Sequence, residues 1–396
     1  MRAHAIAPPI QVVARVLFAL LGLGATPVPS AVPVPNVAPT QADEAAPRGL
    51  ALLPFTARGA PPECWDRLRP SLELALTGRG LAPVDPARVD RELRARRLRD
   101  LNLLTREEIR ALAQALEVRR ILIGSLYRCA DGGEAMSLSA RVVDTERLAL
   151  ETVTFVVVEG REFLGALGAG GAMSSERTTV EAARRLAVSL FPRDDKERAE
   201  AEKWDPLKRS VLAPTPALFL SPRVPDRRPA SVVVLPFRNR SSHPAAGQIA
   251  AELMACAIAA ALPVDLYDSG DATRRLLERG WRTGLPVGRE DVRSLARDPG
   301  VAAVLMGDVD RWEEAPPGSG RIPEVAAAFR LLDTETGEIL WAADHERRGD
   351  ETRSFYEAGN VRLAEALMAR AALEALAPLV NLFEPAPIPS HGGLDP

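Results

Sequence analysis

The pattern of apolar and polar residues occurs twice along this chain, in the same order and at nearly constant spacing. A continuous apolar run ending in Leu-Pro-Phe, a second run built around a glycine, and a turn of sequence Asp-Thr-Glu each recur 182 to 189 residues later. Landmarks that recur in one order indicate a tandem duplication of one domain. The paired segments are Leu50–Phe55 with Val232–Phe237, Ile121–Leu126 with Val304–Val309, and Arg141–Glu146 with Arg330–Glu335.

Within each copy the hydrophobic periodicity changes from strand to helix and back. A continuous apolar run predicts a strand buried on both faces, apolar residues every three or four positions predict an amphipathic helix, and alternation predicts a half-buried strand. Thr105 and Glu108 form a capping box, which predicts the start of one helix. In the first copy we predict a strand at 50–55, a helix at 64–76, a short strand at 83–85, helices at 88–98 and 105–116, a strand at 120–128, hairpin strands at 136–143 and 150–158, and a closing helix at about 177–191.

This order, β-α-β-α-α-β-β-β-α, belongs to the α/β class. Parallel strands joined by right-handed helical crossovers are followed by an antiparallel hairpin at one side, so the sheet is mixed. The predicted architecture is two tandem copies of a mixed-sheet α/β domain, at residues 48–192 and 229–383. Each copy, at roughly 150 residues, is long enough to bury its own core.

The segments outside the two copies have a different composition. Residues 1–25 hold two arginines and a short apolar run, Val16–Ala25, whereas a membrane span needs about 20 residues. This is typical of a secretory signal peptide, with an uncleaved signal anchor as the alternative. The other segments are a proline-rich tether at 26–47, a charged and then proline-rich linker at 193–228, and a Pro/Gly tail at 384–396 that we expect to be disordered.

The distribution of charge argues against nucleic acid as a partner. The chain has 50 basic and 53 acidic residues, and only three of the basic residues are lysines. Arginine can indicate phosphate binding, but the excess is also typical of a GC-rich genome, which we favour. Residues 48–192 have a net charge of +3 and residues 227–383 a net charge of −4, so neither copy has a strongly basic surface.

Several segments of the second copy resemble a known protein family. They are the Leu-Pro-Phe strand, the loop Asn239–Ser242, the helix Gly247–Leu253, the segments Leu276–Trp281 and Ala303–Asp308, and the hairpin Phe329–Trp341. Together they resemble the bacterial envelope superfamily of the curli-secretion channel lipoprotein (CsgG-like), the penicillin-binding-protein activator lipoproteins and the TolB N-terminal domains. The resemblance covers nearly all of the second copy and, more weakly, the first.

This resemblance implies a TolB N-terminal/CsgG-like fold, an envelope location and a role in binding or assembly, without catalytic residues. The chain departs from the lipoprotein members because it has no cysteine at the end of its N-terminal apolar run. It also has no pair of long alternating segments that would line a membrane pore, which argues against channel formation.

The residues that usually carry catalysis or metal binding form no recognisable constellation in the sequence. No two histidines have the i, i+4 spacing of a helical metal site, the cysteines form no C-x-x-C pair, and there is no G-x-S-x-G elbow. We therefore predict no catalytic residue, no metal and no cofactor. Asp308, Asp310, Glu313 and Glu314 would suit a divalent cation, but a solvated acidic strand end is favoured. His345 is expected to be an exposed strand residue.

Polar side chains follow the buried strands, at the edge where sheets with parallel strands tend to meet ligands and partners. Tryptophan beside arginine is common at interaction sites, so the second copy is predicted to supply a partner-binding surface. The alternative for Trp312 is that it only packs against its own hairpin. In the first copy, Arg58 and Arg128 are expected to be exposed at the matching edge. The candidates for partner binding are Arg238, Asn239, Arg240, His243, Asp308 and Trp312.

Two cysteines are predicted to lie at this same edge of the first sheet. Cys64 begins the helix after the first strand, and Cys129 follows the next buried strand. In an oxidising compartment they can pair, closing a loop of about 65 residues and stabilising the fold by roughly 4 kcal/mol on the chain-entropy model. The sequence leaves open whether they do. Cys256 lies on an apolar helix and is expected to be a buried free thiol.

These inferences favour an exported, non-enzymatic accessory protein that binds another envelope component, such as a cell-wall synthase or a secretion or outer-membrane assembly machine. We expect a protein partner, no nucleic acid, and membrane contact at most through the N-terminal segment. The alternative is a small-ligand-binding domain or cryptic enzyme that uses the carboxyl-end rim of the second sheet. A purely structural spacer is the third hypothesis.

Overall fold

The computed structural model describes residues 49–129, 135–160, 173–204, 214–225, 227–282, 285–295, 300–315, 322–352 and 360–383. The predicted signal segment, the proline-rich tether and the C-terminal tail lie outside the described residues. The described residues form a mixed α/β structure with two mixed sheets. No helix among them is long and apolar enough to cross a membrane.

The strands of the first sheet are β1 (Gly49–Leu52), β2 (Thr56–Ala57), β3 (Ala82–Pro83), β4 (Arg120–Arg128), β5 (Ala135–Asp144) and β6 (Ala149–Glu159). Their order across the sheet is β3-β1-β4-β5-β6, and β2 pairs with β4. β1 lies between β3 and β4 and is parallel to both, whereas β5 and β6 continue the sheet as antiparallel neighbours. The mixed sheet predicted from the sequence is therefore present.

The second sheet repeats this arrangement and adds one strand. Its strands are β7 (Ala217–Leu220), β8 (Ser231–Val234), β9 (Arg238–Asn239), β10 (Asp265–Tyr267), β11 (Ala303–Glu313), β12 (Glu324–Asp333) and β13 (Ile339–Arg348). The order is β10-β8-β11-β12-β13-β7, with β9 beside β11. β7 comes from the segment predicted as a linker and pairs antiparallel with β13. The strand topology thus occurs twice in the described part of the chain.

The helices follow the local signals of the sequence. They are α1 (Glu63–Thr77), α2 (Pro86–Ala95), α3 (Arg106–Leu116), α4 (Ser175–Leu190), α5 (Asp195–Trp204), α6 (Ala246–Ala261), α7 (Gly270–Glu278), α8 (Arg289–Ser294) and α9 (Ala364–Phe383). The capping box of α3 is present, since the Thr105 hydroxyl accepts from the Glu108 amide and the Glu108 carboxylate accepts from the Thr105 amide. The charged run after α4 forms a separate helix, α5, and does not extend α4.

The helices cover the two sheets unequally. On the first sheet, α1 and α4 pack against one face, and α2 and α3 cover part of the other. On the second sheet, α6 and α9 pack against one face, while α7 and Leu295, which follows α8, contribute to a smaller core on the other. The uncovered part of the first sheet, which includes Tyr127, Phe155 and Val157, belongs to the same buried cluster as Leu253 and Met254 of α6. Helix α6 therefore lies between the two sheets, and the repeats share a core.

Candidate functional site

A groove of about 810 Å³ opens beside the loop that follows β9 in the second repeat. One wall comes from that loop, a second from the end of β11, and a third from residues near β12 and β13. We call this the Trp312 groove. Two of the six predicted partner-binding residues lie in it, His243 and Trp312. Its lining residues are Ser242, His243, Pro244, Trp312, Glu313, Glu314, Ile322, Glu324 and Arg348.

The loop wall of the Trp312 groove is held in place by side-chain contacts. The Asn239 amide nitrogen donates to the backbone carbonyl of His243 at 2.7 Å, which fixes the turn. The imidazole of His243 lies against the Trp312 indole, with the ring centroids 5.7 Å apart. Its Nε2 is 3.5 Å from a carboxylate oxygen of Glu314. Asn239 therefore positions the loop, and His243 joins it to the end of β11.

The charge of the Trp312 groove is predominantly acidic. Glu313 and Glu314 are exposed at the end of β11, and Glu324 lies on the neighbouring strand. Among the described residues of the lining, Arg348 is the one arginine; it is 3.4 Å from Glu324, which also lies 3.5 Å from Arg311 beside the groove. This described lining, with three carboxylates, one guanidinium and one imidazole, favours a partner segment that carries basic side chains.

The other predicted residues of the second repeat lie beside the groove and pair with one another. Arg238 forms an ion pair with Asp308 across the parallel pair β9 and β11. Arg240 and Asp310 form a second pair at 3.1 Å. Arg330 approaches Asp308 at 3.6 Å. Asp308 and Asp310, two of the four carboxylates considered for a divalent cation, are thus engaged by arginines, and the described residues contain no His, Cys, Asp and Glu cluster suited to a metal.

Trp312, for which the sequence left open a contact role at the surface and a packing role, is buried. Only 3% of Trp312 is accessible to solvent, because the indole belongs to the core cluster between the second sheet and α6 and α9. One edge of the ring forms the floor of the groove. Replacing Trp312 with alanine would therefore cost roughly 3–5 kcal/mol of stability, which makes it a poor probe of recognition. Trp312 is packed, as in the alternative, but against α6 and α9 as well as its own hairpin.

The prediction that Arg58 and Arg128 are exposed is wrong. The Arg58 side chain is 12% exposed, because it extends from the end of β2 toward α6 and donates to Gln248 at 2.8 Å. Arg128 donates to Glu365 of α9 at 3.0 Å and to Glu314 at 3.1 Å. Both arginines join the first repeat to the second.

The environment of Arg128 keeps it charged. Burial acts to lower the pKa of its guanidinium, but the carboxylates of Glu365 and Glu314 outweigh burial and hold that pKa above its usual value. Arg141 is in a similar position, since it donates to Asp268 of the second repeat at 2.7 Å. Burial opposes the charge of Arg141, and the nearby Asp268 raises its pKa. First-repeat arginines thus meet second-repeat carboxylates along the interface.

His345 was expected to be exposed, and this prediction is wrong as well. Its strand, β13, presents His345 to α9, where 3% of the residue is accessible. The ring Nε2 lies 2.9 Å from a carboxylate oxygen of Glu374, and Arg347 pairs with the same carboxylate. Burial acts to raise the pKa of Glu374, but hydrogen bonds from His345 and Arg347 lower it overall. This cluster joins β13 to α9 inside the second repeat.

The two cysteines at the edge of the first sheet lie together. Cys64 and Cys129 form a disulfide in the structure, with 5.9 Å between their Cα atoms. The bond joins the start of α1 to the end of β4. Cys256 is buried in α6 and takes no part in it.

Sequence reasoning missed several groove residues. Ser242 and Pro244 belong to the loop after β9. The course of this loop depends on the hydrogen bond from Asn239 to the His243 carbonyl, which the sequence pattern does not predict. Glu324 and Arg348 are directly opposite each other in the β12–β13 register and meet the end of β11 through the β11–β12 pairing. Pairing the sequences of β11, β12 and β13 in their expected antiparallel register would have placed Glu324 and Arg348 beside the end of β11.

Comparison with known proteins gives similarities to solved structures. No protein-family model matches the chain, and no curated protein matches it. The PelC dodecamer from Paraburkholderia phytofirmans is 22% identical, with a TM-score of 0.30 over 42% of this chain and 96% of that one. Lipoprotein GNA1162 from Neisseria meningitidis is 22% identical, with a TM-score of 0.25 over 30% and 83%.

The C-terminal domain of LpoB from Escherichia coli is also similar. It is 19% identical, with a TM-score of 0.23 over 30% of this chain and 82% of that one. In each case most of the solved chain aligns with less than half of this one. Similarities at this level do not identify what this protein does.

Proposed function

We propose that this chain is an exported, non-enzymatic accessory protein that binds another protein of the bacterial cell envelope through the Trp312 groove. The observation that carries the proposal is the groove itself: an acidic, open surface of about 810 Å³ beside a loop fixed by Asn239. The apolar run and proline-rich tether at the N-terminus support export. The sequence resemblance of the second repeat supports an envelope setting and a CsgG-like or activator-like fold.

The proposed partner presents a segment with arginine or lysine side chains. Exposed Glu313 and Glu314 are placed to meet such side chains at the rim, while the buried Trp312 supplies a rigid apolar floor. Opposite charges of this kind steer association and select the partner. The first repeat serves as scaffold, because its Arg128 donates a hydrogen bond to the Glu314 carboxylate and so helps to position this residue of the groove.

Reversal of one rim charge tests this proposal. We expect Glu313→Lys to reduce co-purification of an envelope protein with the tagged chain by about tenfold, since an interfacial charge repulsion costs more than 1.4 kcal/mol. Asp195→Lys is the matched control, because it makes the same change on a carboxylate whose side chain is 98% exposed in α5. Both changes should leave the folding free energy within about 0.5 kcal/mol of the unmodified chain.

The measurement is quantitative mass spectrometry of proteins recovered with each variant from cells. Specific loss with Glu313→Lys and normal recovery with Asp195→Lys supports binding through the groove. Equal recovery of the same envelope proteins by all three chains would show that the groove is not the binding surface. Recovery of no envelope protein by the unmodified chain would contradict the proposed function.

A further inference from the structure

A second cavity lies between the two repeats, away from the Trp312 groove. Its volume is about 200 Å³. The first repeat contributes residues of β5 and β6 and the turn at Leu101–Leu103, and the second contributes one face of α6 and the carboxyl ends of β8 and β10. Sheets with parallel strands commonly bind ligands beyond these strand ends. Here residues of the first repeat cover this end of the second sheet, so the space between them is a cavity.

The lining of this cavity has an apolar part and a polar part. The apolar part includes Leu150 and Val153 of β6, Ala255 of α6 and Leu266 of β10. Arg58, Glu252, Gln248, Ser139 and Asp100 line the polar part. A ligand that fills both parts must combine an apolar group with charged or strongly polar atoms.

The two arginines of the lining differ in how completely they are bonded. Arg141 donates to Asp268 and, through two nitrogens, to Asn102 at 2.9 and 3.0 Å, so its guanidinium is engaged by the protein. Among the described residues, Arg58 donates one hydrogen bond, to Gln248, and its Nη2 lies 3.8 Å from a carboxylate oxygen of Asp100. Its Nε is buried and forms no hydrogen bond with any described residue. Arg58 therefore retains N–H groups that can donate to a ligand.

Glu252 faces Arg58 with a carboxylate that is only partly engaged. One oxygen accepts from the Tyr127 hydroxyl at 2.7 Å, and the other lies 3.5 Å from the Arg58 Nε. A separation of 3.5 Å is longer than a good N–H···O hydrogen bond. The pair Arg58 and Glu252 therefore offers one donor group and one acceptor group side by side.

The charged groups of the cavity can hold both ends of a zwitterion. Arg141 is paired with Asp268, whereas Arg58 lies 3.5 Å from Glu252 and 3.8 Å from Asp100, so one guanidinium and two carboxylates are placed to meet a ligand. A zwitterion satisfies both kinds of group, because its carboxylate accepts from Arg58 and its ammonium donates to Glu252. The volume is below the roughly 300–1,000 Å³ of drug-sized pockets, which limits the ligand to the size of one amino acid.

We infer that the inter-repeat cavity binds a free amino acid with an apolar side chain. The carboxylate lies at Arg58, the ammonium at Glu252, and the side chain against Leu150, Val153 and Leu266. Because both repeats line the cavity, an occupied cavity stabilises their packing. This inference does not depend on the proposed partner-binding function.

Calorimetric titration and thermal melting of the full chain test this inference. The probes are leucine, valine and methionine as L and D forms, with 4-methylpentanoate and 3-methylbutylamine as leucine analogues that lack the ammonium or the carboxylate. We expect at least one amino acid to raise the melting temperature in a concentration-dependent way. Each truncated analogue of leucine should bind at least about tenfold more weakly than leucine, because one charge-assisted hydrogen bond is lost.

Two variants locate the binding. Ala255→Leu fills the apolar part and should weaken binding by about tenfold or more. Ala259→Leu makes the same change at an exposed position of α6 and should bind like the unmodified chain. Absence of heat and of any melting shift with all amino acids would overturn the inference, as would binding unaffected by Ala255→Leu or equal affinity for the truncated analogues.

Discussion

Gly247 illustrates how single residues determine the loop that forms the Trp312 groove. A Cβ at this position would lie 2.4 Å from the backbone carbonyl oxygen of Phe237, the last residue of the Leu-Pro-Phe segment. The same two residues are joined by a backbone hydrogen bond from Phe237 to Gly247. The start of α6 can approach the strand end this closely only because residue 247 has no side chain.

We predict that Gly247→Ala destabilises the fold by roughly 1–3 kcal/mol, because backbone must move to accept the methyl group. Gly78→Ala is the matched control: its Cβ would be 3.4 Å from the nearest atom, an ordinary contact, at a right-handed backbone position. Urea unfolding measures both changes. An alanine at 247 that costs no more than the alanine at 78 would show that this close approach does not constrain the loop.

Exposure was the property that the sequence predicted least well for individual residues. Arg58, Arg128 and His345 were expected at the surface, and Trp312 either at the surface or packed against its hairpin; all four contact another layer. The reason is that a polar residue at a strand end faces either solvent or a second domain, and periodicity within one repeat does not distinguish these. Glu252 carried a usable signal, since it is the one charged residue of helix α6, most of whose other residues are apolar.

At the scale of secondary structure, long apolar patterns were predicted well and short elements were not. The strand at 120–128 has the predicted bounds, and the predicted helix at 64–76 is within one residue of α1 at each end. The two-residue strands β2 and β9 were not predicted, because two residues have no readable periodicity. Each is a strand only through its pairing with a longer strand, β4 or β11. β7 was missed because Ala217–Leu220 lies among prolines, and only the open edge of β13 makes it a strand.

Two carboxylates join helix α5 to the first repeat: Glu200 accepts from Arg184 at 3.3 Å, and Glu197 is the more strongly bonded of the two. Glu197 accepts from the guanidinium of Arg79 at 2.7 Å and from Arg193. Hydrogen bonds from Arg79 and then from Arg193 lower the pKa of Glu197 to about 2. A carboxyl group with a lowered pKa stabilises the folded state above its unfolded pKa of about 4.3, and this contribution is lost as the pH falls toward 2.

We predict that Glu197→Gln loosens α5 at neutral pH. The only lysines of the chain are Lys196, Lys203 and Lys208, so a lysine-specific protease reports on this segment alone. Cleavage after Lys196 and Lys203 should become several-fold faster, since proteolysis follows the population of the open form. Glu202→Gln is the control on an exposed position of the same helix. Equal cleavage rates for both variants would contradict the role given to Glu197.

At the scale of the whole molecule, the two repeats are joined by charge as well as by a shared apolar core. Their net charges, +3 and −4, have opposite signs, and arginines of the first repeat meet carboxylates of the second. The duplication predicted two copies of one fold but not their contact. The signal was present in the polar residues Ser137 and Ser139, which are buried on a face that one repeat alone would leave open.

We predict that Arg128→Gln costs roughly 3–5 kcal/mol, because it leaves the Glu365 carboxylate, 3% exposed, without its cationic partner. The double variant Arg128→Gln, Glu365→Gln should lose less than the sum of the two single changes. Arg120→Gln is the control, since Arg120 pairs with Glu151 at the surface and its replacement should cost about 0–1 kcal/mol.

Calorimetry should show one unfolding transition in the unmodified chain, and two separate transitions would contradict a shared core.

Site-specific photo-crosslinking in cells of the source organism tests the central claim, that this protein binds an envelope protein through the Trp312 groove. A photoreactive amino acid replaces Ser242, exposed at the groove rim, or Leu74, 75% exposed on α1 of the first repeat. We predict that position 242 forms one dominant crosslink to an exported protein, through a segment rich in arginine or lysine, and that position 74 does not. No crosslink at position 242, or the same crosslink at both positions, would contradict this claim.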